Sequence, residues 1–97
     1  MQYLIRERVE GEWGYEQLVP ETHLRRILSE AYTAAAQFDH DWELNVYELP
    51  HNKQEPVRLH TRVVESHPNH TMLELCHSHD EPVGNGTNIQ FTYYQGD

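Results

Sequence analysis

The chain has 97 residues, enough for one modest core and too few for a catalytic domain beside a separate binding domain. A formal charge of −9, sixteen acidic against seven basic residues, opposes contact with nucleic-acid phosphates and anionic membranes. A charged macromolecular partner is therefore expected to be a protein with a basic surface. No apolar run approaches the ~20 residues of a membrane span. The apolar start Tyr3-Leu4-Ile5 is cut short by Arg6, so no export signal is expected. Cys76 is the single cysteine, which rules out an internal disulfide. These features together predict a cytoplasmic setting.

In chain order, residues 2–9 read as a strand, with Tyr3, Ile5, Glu7 and Val9 alternating against Leu4, Arg6 and Arg8. Glu10-Gly11-Glu12 reads as a turn, and Tyr15 to Val19 as a short second strand. The spacing of Leu24, Ile27, Leu28, Ala31, Ala35 and Phe38 predicts a helix from about Pro20 to Phe38. Proline suits its first turn, and Glu21 complements its positive end. Strands are then expected around Trp42–Tyr47, Val57–Val63, Met72–His77 and Ile89–Tyr94. The links between them are a polar loop at 50–56, a five-residue hairpin loop at 66–70 and a longer loop at 80–87, in which Asn85-Gly86 favours a tight turn.

The expected fold is a single α+β domain spanning residues 1–97. One helix packs on a mostly antiparallel sheet of four to five strands, in the order β-α-β-β-β-β. The last four strands form a meander, and the sheet face away from the helix carries Glu43, Asn45, Arg58, His60, Arg62 and Glu74.

Histidine is the most unusual component, with eight residues, five of them between His60 and His79. If residues 76–79 stay extended, His77 and His79 share a strand face and could hold zinc or copper, with His67 and His70 adding ligands. Against this stand the lone cysteine and the lack of any CxxC pair. Cys76 fits a small buried hydrophobe better than a nucleophile, because His77 points to the opposite strand face. Arg58, His60 and Arg62 form a basic stripe that cross-strand carboxylates can neutralise. Tyr93-Tyr94 on the last strand offers an edge for dimer pairing, so monomer and homodimer both remain open.

The acidic residues are concentrated in two runs. Glu7, Glu10, Glu12 and Glu16 surround the first turn, and Asp39, Asp41, Glu43 and Glu48 follow the helix. No glycine-rich phosphate loop or nucleophile elbow is present in the sequence. The sequence thus points to a small acidic, non-enzymatic protein-binding domain without a cofactor. Its expected binding residues are Glu10, Glu12, Glu16, Asp39, Asp41 and Glu43. Its sharpest form is a phage- or mobile-element-type inhibitor that mimics nucleic acid and blocks a basic groove of a host or defence protein. The competing reading is a zinc- or copper-binding protein using His67, His70, His77 and His79.

Overall fold

Six strands and one helix form two layers. β1 (Gln2–Val9) and β2 (Glu12–Pro20) make a hairpin, and α1 (Glu21–Ala36) follows. β3 (Trp42–Leu49), β4 (Val57–Ser66), β5 (His70–Cys76) and β6 (Pro82–Thr92) complete the chain. The computed structural model describes residues 1–37, 41–51 and 55–92, with main chain alone at 80 and 84–86. The sheet order is β2-β1-β3-β4-β5-β6, and every neighbouring pair is antiparallel.

The α+β class and the four-strand meander stand as expected. The sheet is wider than four to five strands because β2 runs its full nine residues beside β1. Its glycines and charges obscure the alternation in the sequence. A register shift opposite Glu7 and Arg8 absorbs one residue, so Arg8 faces Trp13 while Glu7 faces Tyr15. Gly14 is the residue skipped, and a bulge is where a strand glycine is expected. The turn before β2 has two central residues, Glu10 at φ 54° and Gly11 at φ 82°. Positive φ at both positions is the hairpin turn whose twist matches right-twisted strands.

α1 starts directly after Pro20, whose extended backbone (φ −71°, ψ 154°) serves as the N-cap. At the other end the Gln37 N–H donates to Ala34 O at 3.2 Å. Phe38, expected to end the stripe, lies outside the described residues, as do Asp39 and the Tyr93-Tyr94 pair. Leu24 and Leu28 are the fully buried helix residues. They enter a core built from Tyr3, Ile5, Val19, Val46, Leu59, Leu75 and Ile89. Strand alternation puts all of these on one sheet face.

The sheet is not evenly paired. β1 and β3 share eight register pairs, whereas β3 and β4 share three, Val46↔Leu59, Tyr47↔Arg58 and Glu48↔Val57. Beyond Leu59, β4 pairs with β5 and leaves β3. Tyr32 of the helix lies at this divide. Its ring meets Trp42 edge-on at 5.3 Å and stacks on Phe91 at 5.4 Å. One helical side chain thus joins the third strand to the last.

Two local expectations are overturned. Residues 76–79 do not stay extended: β5 ends at Cys76, a 3-10 turn spans Ser78–Asp80, and His79 has φ 68°. The His77 N–H bonds to Glu81 O at 2.7 Å, which closes that turn. Asn85-Gly86 is not a separate hairpin turn either, because β6 is continuous from Pro82 to Thr92. The extra residues form a bulge, with Cys76 facing Pro82 while Leu75 faces Thr87. Val83, inside the bulge, is anchored in the core at 3% exposure.

Candidate functional site

The two acidic runs meet at one end of the sheet. β1 turns back through Glu10-Gly11, and β3 begins beside it, with Val9 opposite Trp42 and Arg8 opposite Glu43. The Glu10 N–H donates to Asp41 O at 2.9 Å, tying the turn to the start of β3. Glu10, Glu12 and Asp41 are all exposed around this bond. Glu7 is held differently, on the helix side, where it accepts from Trp42 Nε1 at 3.2 Å.

The other two expected binding carboxylates are engaged by arginine on the helix-free face. Glu16 Oε1 lies 2.9 Å from Arg6 Nε, and Glu43 Oε1 lies 3.6 Å from Arg8 Nη2. The Arg6 contact is short but poorly aimed, since its Nε and that of Arg8 are buried without a hydrogen-bond acceptor. The reason is stacking. Both guanidinium groups lie over the Trp13 ring, at 5.0 Å and 5.7 Å from its centroid. The patch left to a partner is therefore the set Glu10, Glu12 and Asp41, narrower than the six residues the sequence suggests.

The Trp13–Arg6–Arg8 platform went unnoticed in the sequence. Arg6 and Arg8 share a face by simple alternation, but placing Trp13 beside them requires the bulge at Gly14. Next to the platform the helix-free face is partly apolar. Leu18 is 59% exposed and Trp13 43% exposed. Leu4, Arg6, Glu16 and Tyr47 line a shallow hollow with Glu55 and Pro56.

Farther along that face lies the polar stripe expected from the sequence. Arg62 pairs with Glu74 at 2.9 Å, the cross-strand neutralisation anticipated for it. Arg58 meets no carboxylate among the described residues; its Nη2 donates to Asn45 Oδ1 at 2.9 Å. Asn45 is 8% exposed, one of the buried polar residues among those described.

The four candidate metal-ligand histidines fall into two groups. His67 and His70 flank the β4–β5 hairpin loop, with rings 4.5 Å apart and His67 Nε2 3.4 Å from Glu65 Oε2. His77 and His79 follow the far end of β5, seven residues from His70 or about 23 Å along a strand. His77 Nε2 lies 2.9 Å from Glu48 Oε2, and His79 is exposed. Among the described residues no three His, Cys, Asp or Glu side chains are grouped to hold one ion. Cys76 is fully buried, in keeping with a packing role. No helix among the described residues is long and apolar enough to cross a membrane.

Comparison with known protein families, curated proteins and solved structures returned no match.

Proposed function

We propose that this chain is a non-enzymatic binding domain that engages a basic protein surface through the acidic end of its sheet. The observation that carries the reading is the Glu10 N–H to Asp41 O bond. It joins carboxylates from distant parts of the sequence into one exposed patch of Glu10, Glu12 and Asp41. Carboxylates already paired to arginine have less charge to offer a partner, and these three have no ion-pair partner among the described residues. The overall charge of −9 adds long-range attraction for a basic groove and speeds encounter. Blocking a nucleic-acid-binding surface of a host or defence protein is the most specific form of this function.

Glu10 supplies a second argument. It holds a left-handed backbone at φ 54°, where asparagine or glycine would be more stable by about 1 kcal/mol. Strain kept at an exposed position fits a side chain retained for contact rather than for folding. Replacing Glu10→Asn is expected to raise the melting temperature by several degrees while weakening partner binding.

The decisive test is affinity capture from a lysate, comparing the wild-type chain with E10K/E12K/D41K. A variant with reversed charge at the exposed helix residues Glu21 and Glu30 is the control. Basic proteins held by the wild type and the control, and lost by the triple variant, are expected. Equal capture by all three, or no stoichiometric capture by any, overturns the proposal.

A further inference from the structure

Where β4 leaves β3, the sheet opens into a cleft of about 350 Å³. Trp42 to Asn45 pair with β1 on one side, but no register pair joins them to His60 and the residues beyond. The backbone N–H and C=O groups that this part of β3 turns toward β4 therefore lack ladder partners. Such groups need a partner from solvent or a ligand. The cleft falls within the size range of small-molecule sites, roughly 300–1,000 Å³.

Its lining has two characters. Asn45, Arg58 and His60 come from the helix-free face, and Thr61 and Tyr32 from the core side. Leu44, Leu59 and Leu75, also on the core side, supply its apolar wall. Arg58 is the charged anchor. Its guanidinium is held in place by the buried Asn45 and meets no carboxylate among the described residues, unlike Arg62 on the same strand face. A guanidinium with donors to spare, fixed at the mouth of a partly apolar cleft, is suited to a planar carboxylate.

We infer that the β3–β4 cleft is a binding site for a small organic carboxylate with an apolar body. The carboxylate pairs with Arg58, beside the polar lining from Asn45 and His60. The apolar body lies against Leu44 and Leu75 and meets the Tyr32 ring. The site uses neither Glu10, Glu12 nor Asp41, so it stands or falls separately from the partner surface.

The test titrates hexanoate into the isotopically labelled chain at near-neutral pH, with hexanol as the uncharged match and two variants. Saturable amide shifts at Leu44–Val46 and Leu59–Thr61 are expected with hexanoate, and at least tenfold weaker binding of hexanol. Arg58→Gln should weaken hexanoate tenfold or more, with the remaining spectrum unchanged. Arg62→Gln should leave its affinity within about twofold. Absent or non-saturating shifts at these residues overturn the inference. So does equal binding of hexanol, and so does an Arg58→Gln variant that is folded and binds as well as the wild type. Should Arg58→Gln disturb the fold, Arg58→Lys serves instead. It keeps the charge without the planar fork, and unchanged affinity in it would also count against the proposed carboxylate pairing.

Discussion

Leu28→Ala should cost about 3 kcal/mol, within the range of about 2–5 kcal/mol for deleting a buried leucine. Few single changes should do more to a domain this small, because its total stability is on the order of 5–15 kcal/mol. The helix depends on docking. It runs sixteen residues, a length at which an isolated helix is marginal in water. Its N-cap makes no side-chain hydrogen bond, and its last turn carries no basic residue to meet the negative end. Leu24 and Leu28 are its two fully buried side chains, so removing one takes a large share of what fixes it to the sheet. At about 4–8 °C per kcal/mol, the melting temperature should fall by about 12–24 °C. Glu30→Ala is the control on the same helix. It loses only the exposed Arg26 pair at 3.4 Å, a loss of about 0.3–0.5 kcal/mol. Denaturant unfolding of the two variants beside the wild type checks both figures. A loss below about 1 kcal/mol for Leu28→Ala would mean that the helix is not held through this residue.

The dependence of α1 on its buried face is also why it was the most legible element. Leu24, Ile27 and Leu28 repeat at helical spacing because the helix must present one stripe to the core. Tyr32 extends that stripe by one more step of four from Leu28. It was not counted in that stripe, and its place between Trp42 and Phe91 depends on where two distant strands arrive. β1, β3 and β5 were readable for the corresponding reason, a period of two against a single buried face. β2 was harder to see because it is an edge strand. Only Val19 is buried along it, and an edge exposed on both faces needs no alternation.

The same distinction runs through the candidate site. The sequence displays both acidic runs, and the structure places their tips side by side. The pairing of Glu16 with Arg6 and of Glu43 with Arg8 depends on cross-strand register, which a bulge at Gly14 shifts. The histidines illustrate the opposite error. Closeness in sequence suggested one cluster, but β5 lies between the two pairs and keeps them apart. The β3–β4 cleft left no sequence signal at all. It is an absence of pairing between strands that each look regular.

Tyr32 is where the second large effect is expected, and its two truncations should separate packing from ionisation. Tyr32→Ala deletes the ring that touches both Trp42 and Phe91, so β3 and β6 lose their common contact over the helix. A loss of about 3 kcal/mol at neutral pH is expected, similar to other large aromatic truncations. Tyr32→Phe keeps both ring contacts and removes only the hydroxyl, at a loss of about 1 kcal/mol. Alkaline pH should then reverse the order of wild type and Tyr32→Phe. Burial raises the Tyr32 pKa above its ordinary value, and the contact with the Thr61 side chain only partly offsets this. The folded chain therefore keeps this proton at a pH where the unfolded chain, with tyrosines titrating near about 10, has lost it. Stability linked to Tyr32 is fully present below about pH 10 and is lost as pH rises through the higher folded value. Tyr3 adds to the same slope, because burial, with Glu21 and Glu48 nearby, raises its pKa as well. Denaturant midpoints measured on both sides of pH 10 should show wild-type stability falling faster than that of Tyr32→Phe. Ultraviolet titration should show one late tyrosinate step missing in the variant. Parallel pH curves for the two proteins would mean that the Tyr32 hydroxyl is in contact with water in the folded chain.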